Sequence, residues 1–198
     1  MGLDLDYING QTPLDEDEKY GLLISTITTR GELDEFEQLN IQKAIEWSLK
    51  NKFNVDKILT EEFAKNLHKK MFDKVWKWAG NFRTTNKNIG VDKFIIGIEL
   101  KKLIDDCNFW IKNNTFSPDE ISLRYSHRIV QIHLFPNGNG RHSRLIGDII
   151  VNHIFDLPVF TWGRKDLLHK GKARQLYLEA LRKADQGNYS KLIEFARM

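Results

Sequence analysis

A mainly α protein, a helical bundle with one small β-hairpin flap beside a functional loop, is the fold class this sequence predicts. Three observations carry the prediction. Apolar residues recur at helical spacing over most of the chain. Helix-start signals precede several of these runs, most clearly Thr29 with Glu32 three residues on, and Ser117 followed by Pro118 and two acids. The stretch 81–96 breaks the helical period. There Thr, Val, Ile and Phe surround an Asn- and Gly-containing centre, the pattern of a hairpin or extended flap.

Residues 1–28 read as an N-terminal extension, irregular or with a short helix, because Gly10, Pro13 and the acidic run Asp15-Glu16-Asp17-Glu18 favour turns. Residues 29–198 read as the domain proper. Its first long helix carries Leu33, Phe36, Leu39 or Asn40, Ala44 and Trp47. Thr60 opens a second, with Phe63, Leu67, Met71 and Val75 as its apolar positions. After the flap, residues 97–113 return to helix with Ile98, Leu103, Ile104 and Trp110. The helix opened by Ser117 places Ile121, Tyr125, Ile129 and Ile132 on one face. It must end soon after His133, because Pro136 and two glycines follow. A further helix starts near Gly140 and runs through Leu145 and Ile149 to Phe155. Pro158, Gly163 and Gly171 then punctuate a connection. A helix over about 173–184 and a short one after Gly187 complete the chain.

Composition excludes several classes. A net charge of +3, spread without blocks, is too small to indicate direct nucleic-acid binding. No apolar run approaches the ~18 residues of a membrane span. Cys107 has no second cysteine to pair with, and Ile104 and Ile111 place it on an apolar stripe, the setting of a buried, inert thiol. An acidic, polar N-terminus and the lone cysteine together predict a cytoplasmic protein. The Trp76 and Trp78 pair, with Phe72 and Phe82, reads as core. His127 and His142 read as structural or solvated, and His68, His153 and His169 have no metal-ligand spacing.

The chemistry concentrates in Ile132-His133-Leu134-Phe135-Pro136-Asn137-Gly138-Asn139-Gly140-Arg141-His142-Ser143-Arg144. Gly138 and Gly140 permit backbone approaches that side chains forbid, and they fall where a helix begins. The first amides of a helix lack intrahelical partners and attract anions. Arg141 and Arg144, three apart, share a side of that helix, and two guanidinium forks beside free amides suit a polyphosphate. His133, at the end of the preceding helix, is placed to act as a general base, with an ordinary pKa that lets it take a proton near neutrality.

The pattern His133-x-Phe135-x-Asn137-Gly138-Asn139-Gly140-Arg141-x-x-Arg144 resembles the signature of the Fic (filamentation induced by cAMP)/Doc domain family, His-x-Phe-x-Asp/Glu-Gly-Asn-Gly-Arg-x-x-Arg. The likeness extends to Gly80-Asn81-Phe82-Arg83 ahead of the flap and to the ending from Gly187 to Phe195. The whole chain is similar to the subgroup called mobile mystery protein B. The resemblance implies the Fic fold and transfer of AMP from ATP to a Ser, Thr or Tyr hydroxyl of a target protein. It implies His133 as base and Phe135 as the loop's anchor. Gly138, Asn139, Gly140 and the adjacent amides would hold phosphates, and Arg141 and Arg144 would orient the β- and γ-phosphates.

The resemblance also implies Mg²⁺ (or Mn²⁺), held in the family by the acid at the position of Asn137. Asn offers a neutral oxygen and a weaker metal site. Slower transfer, another phosphate transfer, and nucleotide binding without turnover all stay open on that ground. The flap would dock an extended target segment through Thr84, Thr85, Ile89, Val91 and Phe94. The resemblance points to the toxin or mobile-element kind, and many family members are silenced by a glutamate, from within or from an antitoxin partner. Thr28-x-x-x-Glu32 and Ser190-x-x-x-Glu194 match that motif in part, but Glu32 is equally a helix cap and Glu194 a solvated face. Homo-oligomerisation is left open.

Overall fold

The computed structural model describes residues 15–163 and 170–198, the side chains of 170–172 excepted. Gly10, Pro13 and His169 lie outside that range. The short helix α1 (Glu16–Lys19) precedes α2 (Arg30–Lys50), α3 (Val55–Ile58) and α4 (Glu61–Phe72). Then follow α5 (Ile96–Asn113), α6 (Pro118–Ile132), α7 (Asn139–His153), α8 (Lys170–Ala184) and α9 (Ser190–Arg197). The start signals act as their chemistry dictates. Thr29 Oγ1 accepts from the Glu32 amide while the Glu32 carboxylate accepts from the amides of Thr28 and Thr29. Thr60 and Ser117 cap α4 and α6 through the hydroxyl alone, accepting from the amides of Phe63 and Glu120, the latter helix with Pro118 in its first turn.

The α6–α7 pair forms the centre, with α5 against α6 and α2 against α4. Phe63, Leu67, Met71, Leu100, Leu103, Tyr125, Ile129, Ile132, Ile146 and Ile150 fill the interior with almost no exposure. Burial of apolar area on this scale supplies the main stabilising term. Cys107 is buried and free, and burial pushes its thiol up to about 12, so it is inert as expected. A smaller core joins Leu123 and Val151 to Phe160, Ala180, Leu192 and Phe195. Arg197 of α9 fastens it by pairing with Asp119 at the start of α6. No helix among the described residues is long and apolar enough to cross a membrane.

Several expectations change, among them that for Val75, which lies beyond the end of α4. On α2 the buried face is Leu33, Glu37, Asn40, Ala44 and Ser48, while Phe36 and Leu39 are exposed. Asn40 is inside because its amide bridges the Lys70 carbonyl and the Lys74 amide at the end of α4. On α5, Ile98 faces outward and Ile96, Leu100 and Cys107 complete the buried stripe. Gly171 lies within α8 instead of in the connection before it.

The β-hairpin is absent. Among the described residues the only β-pairing is an isolated bridge between Leu22 and Trp76, and residues 81–92 are bends and coil. The physical reason is that the two arms pair with the last residue of α6 and the loop just after it, and not with each other. Arg83 N–H donates to Leu134 (2.9 Å) and Val91 N–H to Ile132 (3.3 Å). The Arg83 side chain then takes the Thr85 and Val91 carbonyls, which a hairpin ladder would use. Asn86 closes the flap by accepting from the Lys93 amide and donating to Asp92.

Candidate functional site

His133 ends α6 in the left-handed region (φ 60°, ψ 66°). That conformation turns the chain sharply, so the following loop folds back under the start of α7. Phe135 anchors it with no exposure, stacked on His68 with ring centroids 3.7 Å apart. Asn139 locks it: its Oδ1 accepts from the Phe135 amide (2.9 Å) and its Nδ2 donates to the Phe135 carbonyl (2.7 Å). The Asn139 side chain is therefore committed to the loop, and what it can offer an anion is its backbone amide.

His68, noted in the sequence only for its lack of metal-ligand spacing, is the loop's second support. It is fully buried; Nδ1 accepts from the Gly80 amide (3.0 Å), which leaves Nε2 to donate to the Asn137 carbonyl (3.1 Å). Burial, then the neighbouring His142, holds its pKa well below the ordinary value, so it stays neutral and keeps this tautomer. A helical spacing of His68 from Phe72 on α4 was the available signal, but nothing local reveals that both reach a loop 65–70 residues away.

Gly138 starts α7 at φ 75° with no side-chain cap. Asn137 Oδ1 accepts from its amide at 2.7 Å. The amides of Asn139, Gly140 and Arg141 have no intrahelical acceptor and point out of the helix start. A Cβ on Gly138 would lie 2.5 Å from the edge of the Phe72 ring. Gly138→Ala is therefore expected to cost about 1–3 kcal/mol in a denaturation experiment and to weaken anion binding. Gly31→Ala, with nothing near the new methyl, should be neutral or stabilising. Equal effects of the two would show that the loop does not depend on this close approach.

The two arginines differ in a way their spacing hides. Arg141 pairs with Glu37 of α2 and lies over the Phe72 ring (4.8 Å). Glu37 is buried, and its other oxygen accepts from Trp76 Nε1 at 2.6 Å. Arg144 makes no ion pair among the described residues and stands near the Tyr177 ring. His133, Asn137, Gly138, Asn139, Gly140, Arg141 and Arg144 all line one cleft of about 1320 Å³. Ile89 and Val91 of the flap join them. Thr84, Thr85 and Phe94 do not. The Thr85 hydroxyl donates to Asp15 (2.7 Å), the Thr84 carbonyl accepts from Lys93 (2.7 Å), and Phe94 is 83% exposed. The acidic run, read from the sequence only as a turn or short-helix signal, also holds the nearly buried Lys87 through Asp15 and Glu18. Helix α2 adds Arg30, Asp34 and Gln38 to the cleft, α8 adds Tyr177, and Asp185 follows just after α8.

His133 itself is 3% exposed. Burial foremost, then the charge of Arg83, lowers its pKa to about 4; a backbone hydrogen bond at Val130 opposes the shift and Lys87 adds to it. At neutral pH the imidazole is unprotonated and able to accept a proton. His127, bonded to Tyr189 and Asp185 (both 2.9 Å), and His142, bonded to the Ala64 carbonyl (3.0 Å), serve packing. Glu32 is occupied as a helix cap and Glu194 is exposed.

Fold and junction together define a mainly α protein whose helix start faces a buried, neutral histidine across an arginine-lined cleft. Residues 58–151 match the model of the Fic/DOC family, and the chain carries a domain of that family. No curated protein matches the chain. Among solved structures it is similar to Fic-1 (residues 134–508) from C. elegans, at 18% identity and a TM-score of 0.63, over 90% of this chain and 51% of that one. It is also similar to the BepC effector of Bartonella tribocorum with bound AMPPNP, at 17% identity and a TM-score of 0.62, over 92% of this chain and 97% of that one. A Fic family protein from Desulfovibrio desulfuricans aligns at 17% identity and a TM-score of 0.59, over 83% of this chain and 50% of that one. The chain thus spans about half the length of two of these three structures, and at such identities the likeness is one of fold.

Proposed function

We propose that this protein is a nucleotidyltransferase that moves AMP from ATP to a Ser, Thr or Tyr hydroxyl of a target protein. One observation carries the reading: an unprotonated His133 shares a single cleft with the free amides of α7 and with Arg144. The amides of Asn139, Gly140 and Arg141 receive phosphate oxygens, and Arg144 neutralises the far end of the triphosphate. His133 takes the proton of the incoming hydroxyl as its oxygen bonds to the α-phosphorus. The bond from that phosphorus to the α–β bridging oxygen breaks, and pyrophosphate leaves. Such transfer asks for positioning and charge neutralisation more than covalent help. The AMPPNP held by the similar BepC structure supports ATP as donor.

The residues present do not make a metal site of their own. Among the described residues no three His, Cys, Asp or Glu side chains converge as metal ligands, and the Asn137 oxygen already accepts from Gly138. Mg²⁺ or Mn²⁺ enters, on this reading, as the counter-ion of the nucleotide phosphates. The same observation favours a second reading, a nucleotide-binding protein without turnover.

The test is incubation with α-labelled ATP, Mg²⁺ and cell lysate. Protein-bound label that falls about 10²–10⁴-fold in His133→Ala, while that variant still binds ATP, is the expected result. Absence of label from both the wild type and Asn137→Asp, with ATP binding intact, selects the second reading. Toxin-like action, a regulatory or antitoxin partner that reaches Arg144, and kinship with the mobile mystery protein B subgroup belong to this proposal as its biological setting.

A further inference from the structure

Arg83 is 3% exposed, and its guanidinium is surrounded almost wholly by backbone oxygen. Nε donates to the His133 carbonyl at 2.6 Å. One terminal nitrogen donates to the Thr85 carbonyl (2.8 Å) and to Asn86 Oδ1 (3.4 Å). The other donates to the carbonyls of Val91 and Ile132. Among the described residues no carboxylate lies within bonding distance; Asp92 and Glu18 balance the charge at longer range. The last carbonyls of a helix have no partners within it, and a cation there is favoured. An ordinary surface Lys would satisfy that need. A buried fork that joins the helix end to both arms of the flap does more.

Three facts tie this cluster to His133 in particular. His133 is a non-glycine residue at φ 60°, a conformation that needs outside support. Its carbonyl accepts from Arg83 Nε, at 2.6 Å, so the fork grips this residue directly. Gly90, at φ 109° on the flap, comes so close that a Cβ there would lie 2.7 Å from the His133 Cβ and 3.0 Å from an Arg83 nitrogen. The phosphate-facing loop is held by other groups, namely His68, Phe72 and Asn139. The two halves of the site thus have separate supports.

We propose that Arg83 is a positioning residue that locks His133 and the flap into one unit, setting where the imidazole meets a hydroxyl presented along the flap. The inference rests on the transferase reading for its kinetic consequence but not for its structural one. Arg83→Lys keeps the charge and loses the fork; Arg83→Met loses both. Gly90→Ala pushes the flap from His133 with Arg83 intact, and keeps the idea testable if a replacement at Arg83 fails to fold. In all three, ATP affinity by calorimetry should stay within about threefold while labelling at saturating ATP falls about 100-fold, the usual consequence of a misplacement near 1 Å.

NMR supplies readouts that need no activity. The His133 Cα shift should leave the left-handed range in both Arg83 variants. The imidazole, which faces the charges of Arg83 and Lys87 from the flap and the Val130 carbonyl from α6, should titrate at higher pH in Arg83→Met than in Arg83→Lys. An unchanged Cα shift in the Arg83 variants overturns the proposal. So do wild-type labelling rates, or ATP affinity that falls in step with the rate. A wild type that never labels sinks the transferase reading alone, and the shifts then decide this one.

Discussion

Arg141→Ala should destabilise the fold by about 3 kcal/mol or more, as expected when one partner of a buried ion pair is removed, while Arg144→Ala should stay within about 0.5 kcal/mol. The asymmetry comes from Glu37. Its side chain is 3% exposed against 29% for Arg141, so deletion of the arginine leaves a carboxylate inside the protein with only the Trp76 N–H for company. Arg144 has no such dependant among the described residues. The double variant Glu37→Gln/Arg141→Ala should recover most of the loss, because a glutamine oxygen still accepts from Trp76 and no charge is stranded. Urea denaturation of the four proteins measures this directly, and equal, small losses for the two arginines would refute it. The consequence for function is practical. Loss of nucleotide binding in Arg141→Ala alone mixes a missing phosphate contact with a damaged fold, and the double variant separates them.

Mild acid should unfold this protein more readily than its carboxylates explain. His68, His133 and His142 are buried in neutral form, with His133 and His142 lowered to about 4 and His68 well below its ordinary value, burial being the first cause in each. The unfolded chain binds these protons near pH 6.5 and the folded one does not. Their contribution is thus present in full above pH 6.5 and is lost as pH falls through the folded values, near 4 for His133 and His142. For His133 and His142 a shift of this size is on the order of 3 kcal/mol each at the bottom of the window. Asp15 and Glu32, whose pKa values are lowered by hydrogen bonds to Thr85 and to Thr28 respectively, lose their contribution only at lower pH. Denaturation midpoints at pH 7, 6, 5 and 4.5 should therefore fall steadily. His142→Gln, which can still donate to Ala64, should flatten the curve. A midpoint that holds constant to pH 4.5 would show that these histidines are hydrated in solution. For His133 the same shift has a kinetic side: a bound triphosphate opposes it, so the base should strengthen as substrate arrives.

Much of the fold was legible because its signals are local. A capping box at Thr29, a Ser-Pro start at 117 and apolar residues every three or four positions require only neighbours in the chain. The loop from His133 to Arg144 was legible for the same reason, since glycines and a helix start carry their conformational meaning with them. The flap was misjudged because its backbone partners are remote. Residues with strand-like chemistry formed coil once Arg83 and the end of α6 took their hydrogen bonds. The covered face of α2 was misjudged likewise: Asn40 stood only as an alternative to Leu39, and Glu37 looks like a solvent residue until Trp76 and Arg141 are seen against it.

By itself the sequence determined which segments coil, where they stop, and which turn can receive an anion, because those properties follow from propensity and spacing over a few residues. Tertiary structure alone decided that Arg141 is tethered while Arg144 faces the cleft, that His68 supports the loop, and that His133 is buried enough to stay neutral. Each of these depends on desolvation and on partners brought from distant parts of the chain, and neither quantity exists until the helices pack.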